Sequence, residues 1–414
     1  MANRTSEQNP TMDTANTSKI DNMRDSAAKI GGFLAKNLKP YTMMIALLVV
    51  VIFFEITTNG VLLVPRNVSN LIFQNAYVVI LAVGMLLCIL TGGNIDLSVG
   101  SVVCFIGALA GKMIITYHFN IYLGIALCLL AGILVGMWHG FWIAYVNIPP
   151  FIATLTGMML FKGLGSQILN GQTLAPFPSS FLGLSTGFFP DVFNVTDFNL
   201  TCMLVGILAA IAFVGSQIFS RIRKVSKGYE TDGIIGYIVK MTIVTGAILL
   251  VAYTLALYRG IPTVLLTLAI VVMLYAYITN KTVAGRYLYA LGGNQKAARL
   301  SGIDTKKVFF LAYTNMSFLA AVAGLVFAAR LNSANPTSGE GFELDAIGAV
   351  FIGGASAYGG VGTVGGVLIG AAFMGVMNNG MSIMGTSTFQ QKIVKGLVLL
   401  FAIAFDVYSK RKSK

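Results

Sequence analysis

Asn94, Asp96 and Ser98 stand at alternate positions in LTGGNIDLSVGS, the stretch from Leu90 to Ser101 between two long apolar runs. An amide, a carboxylate and a hydroxyl so spaced can contact a polar solute, or cap the backbone of a following helix. Gly92, Gly93 and Gly100 allow the chain to break there, and a break exposes amides and carbonyls that must be satisfied inside protein or a wet cavity. Two readings therefore stand side by side: the polar lining of a path, and a capped helix start with Asn94 or Asp96 as N-cap. GFELDAIGAVFIGG, from Gly341 to Gly354, echoes the pattern with Glu343 and Asp345 ahead of a short apolar segment. Asn94, Asp96, Ser98, Glu343 and Asp345 are the candidate path residues.

Other chemistry is thinly supplied. No G-x-x-x-x-G-K-[ST] occurs, so no nucleotide phosphate is cradled in that manner. Gly360, Gly362 and Gly365 spell G-x-G-x-x-G without a strand before it or an acid after it, which reads as coincidence. His118 and His139 lack a second ligand at i+4, and Cys88, Cys104, Cys128 and Cys202 lie in apolar runs without metal-ligand spacing. The expectation is no catalytic group, no metal and no cofactor held by this chain.

The elements that position these residues follow from composition. The 414 residues are 56% hydrophobic and 10% charged, with mean hydropathy +0.80, which excludes a soluble domain. About 20 apolar residues of helix cross the hydrocarbon of a bilayer. Runs of that kind fall at 41–58, 71–91, 97–116, 121–146, 151–169, 200–220, 234–257, 261–280, 308–330, 345–357, 361–379 and 388–407. The expected fold is an all-α polytopic membrane protein of 10–12 transmembrane helices, with 345–357 and 361–379 as a broken or re-entrant pair. At the bilayer centre an ionised Asp costs about 2.5–3.5 kcal/mol. Lys112, Lys240 and Asp406 stand near segment ends, where they can snorkel, whereas Glu55 is ambiguous.

Charge orients the spans. The net charge of +13 is concentrated in alternate loops: Arg221 to Lys227, Lys281 to Lys307, and the tail from Lys410. Basic loops stay in the cytoplasm, so both termini are expected there, and a nucleic-acid surface is not needed to explain the charge. Residues 1–40 read as a disordered cytosolic arm without a cleavable signal, 41–407 as the transmembrane domain, and 408–414 as a basic tail. Gly132, Gly136 and Gly140 form a four-residue stripe, as do Gly362, Gly366 and Gly370; such stripes serve helix packing within one chain or between two. An inverted repeat is expected from one of two echoes, either the two polar breaks or IPPFIATL (148–155) with IPTVLLTL (261–268); they imply different chain orders.

The basic loop GRYLYALGGNQKAARLSGIDTKK, from Gly285 to Lys307, has the residues of a short cytosolic helix, with Asn294 as cap and Gly302 as stop. Lys296, Ala297 and Ala298 followed by Gly302 resemble the E-A-A-x-x-x-G signature of ABC importer permeases. With NIDLSVGS and PPFIATLTGMMLFKGL (149–164), the sequence resembles the ribose/xylose or multiple-sugar type of monosaccharide permease from about residue 70 onward. Lys296 departs from the Glu of that signature, so no salt bridge of that Glu carries over. The longer segments at 170–200 and 221–257 resemble the xylose or multiple-sugar branch more than the ribose branch.

That resemblance implies a permease subunit in the cytoplasmic (inner) membrane, forming the path for a monosaccharide, with two copies paired as a homodimer in the lipid bilayer. It implies a separate ABC ATPase subunit carrying ATP and Mg, coupled through Asn294, Lys296, Ala297, Ala298, Arg299, Ser301 and Gly302. It also implies an extracytoplasmic sugar-binding protein. An ion-coupled secondary transporter or channel for a small polar solute is the alternative; it requires more membrane carboxylates than Asp96 and Glu55 supply.

Overall fold

The structure, a computed structural model, describes residues 42–411 apart from 194, 196 and 230–232. The expected arm at 1–40 and the last residues of the basic tail, 412–414, lie outside the described residues. Among the described residues there is no strand, only two isolated bridges, Leu174 to Ala334 and Phe188 to Pro262.

The helices are α1 (Thr42–Thr57), α2 (Pro65–Leu90), α3 (Val99–Ala110, continued by a π-helical turn Gly111–Thr116), α4 (Ile121–Ala144) and α5 (Pro150–Ile168). After a segment that holds one short helical turn, Ser179–Leu182, come α6 (Leu200–Ser226), α7 (Ile234–Ala256), α8 (Val264–Lys281), α9 (Val283–Gly293) and α10 (Gln295–Leu300). The chain closes with α11 (Thr305–Leu331), α12 (Phe342–Ile352), α13 (Val364–Ile383) and α14 (Thr388–Arg411). A helix stands at each expected span. Among the described residues, eight are long and apolar enough to cross a membrane. Of the other four, α1 and α12 are short and α5 carries Lys162 and Gln167 in its apolar run; α14 opens with Gln390, Gln391, Lys392 and Lys395 ahead of a continuous apolar stretch.

Boundaries follow local chemistry. α2 starts at Pro65, earlier than the apolar run at 71, because proline is pre-set for a first helical turn and has no N–H to leave unpaired. Asn120 accepts from the Tyr122 N–H at 2.9 Å to begin α4, and Asp304 accepts from the Lys307 N–H at 3.1 Å to begin α11.

Ala212–Gly246 belongs to one compact unit, and Met43–Ile211 with Ala247–Lys414 forms the other. In the smaller unit the Arg221 guanidinium lies 4.5 Å from the Tyr237 ring centre, and Ile218, Phe219 and Ile222 are exposed. In the larger unit α2 and α11 are the buried pair, apolar around most of their circumference and packed on each other.

The larger unit has a repeated contact pattern. α4 packs on α11 and α13 on α2; α3 packs on α5 and α12 on α14; α3 also meets α11, and α12 meets α2. Each pair matches its counterpart if α2–α5 corresponds to α11–α14. This is the correspondence implied by the echo of the two polar breaks. The echo at 148–155 and 261–268 would instead match α5 with α8, which the contacts do not support. The Gly stripes serve this packing within the chain. A Cβ on Gly132 would meet Ala321, one on Gly136 the Thr314 backbone, and one on Gly370 the Ala349 carbonyl.

The two breaks touch. After Leu90 the chain turns back beside α2, so that the Asp96 N–H reaches Met85 Sδ at 3.5 Å. After Leu331 the chain descends along α3: Ala334 pairs with Leu174, and Cys104 Sγ reaches the Pro336 carbonyl at 3.3 Å. Gly339 then lies on Gly100, and a Cβ on Gly100 would stand 2.1 Å from the Gly339 oxygen. At the other end of the break, a Cβ on Gly93 would stand 2.0 Å from the Ala357 oxygen. Glycine is required at both because backbone meets backbone.

Candidate functional site

The candidate path residues are not gathered in one cavity. Asn94 lines a groove of about 460 Å³ at the basic end, with Asn147, Gln295, Arg299 and Lys306. That groove joins the first break to α10. Asp96 and Ser98 are fully buried instead. Asp96 Oδ1 accepts from the Ser98 N–H at 2.8 Å and the Ser98 hydroxyl at 2.6 Å, a local turn that fixes Ser98; Ser98, rather than Asn94 or Asp96, is the N-cap of α3, and no side chain caps its first N–H groups. Its Oδ2 is buried with no hydrogen-bond partner.

Glu343 lines a second cavity, of about 440 Å³, with Gly100, Ser101, Lys162, Glu340 and Lys392. Lys162 of α5 pairs with Glu340 at 3.2 Å across its mouth. The cavity therefore opens where the two breaks meet, between α5 and α14. Asp345, two residues on, is 1% exposed by side chain and paired with Lys395 of α14 at 2.8 Å. The Tyr77 hydroxyl donates to the same carboxylate at 2.8 Å, and Asn378 Nδ2 at 3.4 Å. A buried carboxylate so compensated is committed to partners within the chain rather than exposed to a passing solute.

At the basic end, Asn294 Oδ1 accepts from the Ala297 N–H at 3.0 Å and begins α10. The helix ends in a left-handed Gly302, φ +82°, with the Ile303 N–H returning to the Ala298 carbonyl at 3.1 Å. The Ser301 hydroxyl donates to the Ala297 carbonyl at 3.0 Å. Lys296, Ala297 and Arg299 are exposed, whereas Ala298 is buried in its own chain at 4%. Leu300 is 89% exposed, an apolar side chain on a charged helix and a better candidate for a partner surface than Ala298.

Sequence reasoning passed over Lys162, Lys392 and Lys395. Charge within an apolar run was the signal that could have found them, since each lies inside a long helix rather than at its end. Asp406, read as free to snorkel, instead accepts from the Ala357 N–H at 3.2 Å in the loop that closes the second break. Glu55 accepts from the Leu63 N–H at 3.0 Å and ties the α1–α2 turn. Among the described residues no group of three or more His, Cys, Asp or Glu side chains is placed to hold a metal, and the four cysteines are free and buried.

A family described as branched-chain amino acid transport system / permease component matches residues 67–403. Over 402 residues the chain is 36% identical to the xylose transport system permease protein XylH of Escherichia coli (strain K12), covering 97% of this chain and 100% of that protein. A Haemophilus influenzae relative of the same name is 37% identical over 376 residues, covering 91% of this chain and 98% of its own. The ribose import permease protein RbsC of E. coli (strain K12) is 33% identical over 363 residues, covering 88% and 92%. No solved structure matches.

Proposed function

The chain belongs to the branched-chain amino acid transport system / permease component family, and from that premise we propose that it is the permease subunit of an ATP-driven importer of monosaccharides. Similarity to xylose and ribose permeases over most of the chain supports the substrate class. The protein is a polytopic α-helical membrane protein, and both termini are taken to face the cytosol because the basic loops do.

One observation carries the path: the cavity of Lys162, Glu340, Glu343 and Lys392 opens between α5 and α14. Facing hydrocarbon, those charges would be costly. A second copy of the chain set against α5 and α14 closes the cavity into a polar path between two permeases. ATP and Mg reside on a separate ATPase, which docks on α10 and the groove beside it. A sugar-loaded binding protein docks at the opposite end. The permease itself has no catalytic role.

Reconstitution tests this. Vesicles holding the chain, its ATPase and its binding protein should take up a pentose only when ATP is supplied. Uptake by the chain alone, driven by an ion gradient, would establish the secondary-transporter alternative instead.

A further inference from the structure

A third cavity, distinct from the two above, is a cleft of about 270 Å³ between α2, α11, α13 and α14. Its lining includes Gln74, Asn75, Arg330, Asn378, Gln391 and Lys395. Amides and cations are rare among these apolar helices, and here they converge from four of them.

Hydrogen-bond accounting identifies what such a cleft can hold. Asn75 Nδ2 donates to the Leu71 carbonyl at 2.7 Å, Asn378 Nδ2 to Asp345 at 3.4 Å, and Gln391 Nε2 to the Thr386 carbonyl at 3.1 Å. Each of these side chains has committed a donor and retains a carbonyl oxygen, and Asn378 Oδ1 is buried with no partner. A ligand must therefore bring donors to meet three acceptors. The same cleft supplies donors of its own. Arg330 makes no ion pair among the described residues, and Lys395 commits one N–H to Asp345. Gln74 Oε1 accepts from Asn379 at 3.1 Å, which leaves its amide N–H groups to donate.

An anion satisfies Arg330 but brings its lone pairs against three carbonyls, while Lys395 is already paired with Asp345. A cation satisfies the carbonyls and is repelled by Arg330. Hydroxyl groups satisfy both, since each donates once and accepts twice, and a guanidinium fork spans two neighbouring oxygens. The volume lies just below the range of about 300–1,000 Å³ for drug-sized ligands, which fits a small solute. We propose that the cleft formed by Gln74, Asn75, Arg330, Asn378, Gln391 and Lys395 is a receiving subsite for a neutral polyhydroxylated solute of monosaccharide size. The inference rests on the sugar-permease reading and deepens it, because it gives this chain a direct contact with the cargo.

The test is binding to the full-length chain in lipid nanodiscs by saturation-transfer NMR, with D-xylose and D-ribose as probes and D-xylonate as competitor. The parent protein should give a sugar signal that D-xylonate does not compete away. Arg330→Leu and Gln391→Leu should each weaken it by about tenfold, the size of one lost hydrogen bond to a charged or well-placed group. A parent preparation that supports ATP-driven uptake with its partners but gives no sugar signal overturns the subsite. So does displacement of the sugar by D-xylonate, which would make the cleft an anion site. Binding without ATP-driven uptake of either pentose would count against the permease reading while leaving the subsite standing. Should a variant not fold, the parent's own signal and its response to D-xylonate still decide.

Discussion

Lys395 and Asp345 meet at 2.8 Å with 16% and 1% of their side chains exposed, and the Tyr77 hydroxyl completes the carboxylate's partners. Breaking a buried pair by removing one charge typically costs about 3–5 kcal/mol, because the remaining charge is left uncompensated. Lys395→Met should therefore lower the unfolding midpoint of the detergent-solubilised protein strongly. Adding Asp345→Leu should recover much of the loss, whereas Tyr77→Phe should cost about 1 kcal/mol. Asp191, in the segment between α5 and α6, behaves differently because it is a loop anchor. The Thr201 hydroxyl at 2.5 Å, with the N–H groups of Thr201, Phe193 and Val195, holds its carboxyl down to about 2. A depressed pKa stabilises above the ordinary carboxylate value of about 4, and the gain disappears only as pH falls through about 2. Pepsin at pH 3 should consequently cut Asp191→Ala in this loop faster than it cuts the parent. These pairings were not legible in the sequence. Tyr77, Asp345 and Lys395 are far apart along the chain, and only the packing of α2, α12 and α14 brings them together.

Helices and their punctuation were more legible, because apolar runs of bilayer length and a cap such as Asn294 are local signals. The direction in which the breaks fold back was not, since that depends on backbone contacts between distant glycines. Gly100 and Gly163 separate the two effects. Gly100→Ala would force a Cβ to 2.1 Å from the Gly339 oxygen, while nothing lies within 4 Å at Gly163. Gly163→Ala should be neutral or gain up to about 1 kcal/mol of helix propensity. Gly100→Ala should instead reduce the amount of folded protein, as measured by fluorescence-detected size-exclusion chromatography. On α10 a Trp scan distinguishes its faces. Ala297→Trp and Leu300→Asp should leave folding intact and abolish co-purification of the ATPase. Ala298→Trp should destabilise the loop itself, because Ala298 is buried against its own chain. If Ala297→Trp and Leu300→Asp both retain the ATPase, the docking surface lies elsewhere.

At the scale of the whole chain, the matching contacts of α2–α5 and α11–α14 leave α6 and α7 outside the repeat. Their far ends adjoin: the Asn199 N–H donates to the Ala256 carbonyl at 2.8 Å. Removing 200–256 and bridging the gap with a short flexible linker should therefore take out two crossings without reversing anything that follows. The shortened chain should insert with unchanged orientation, as read by cysteine labelling from each side. Its stability should fall, because Cys202, Leu255 and Ala256 pack with Val68 in a small apolar cluster. The contact between the two polar breaks has a mechanical meaning beyond holding the fold. Gly92 and Gly93 press on the Ala357–Gly359 backbone, Gly292 of α9 presses on Leu90 and Gly360, and Gly100 presses on Gly339. No rotamer can yield at any of these points, and protein interiors compress little. Backbone contact thus pins α9 to both breaks at Leu90 and Gly360, and at the far end of the first break it seats Gly100 on Gly339, whose neighbour Glu340 holds Lys162 at the mouth of the cavity.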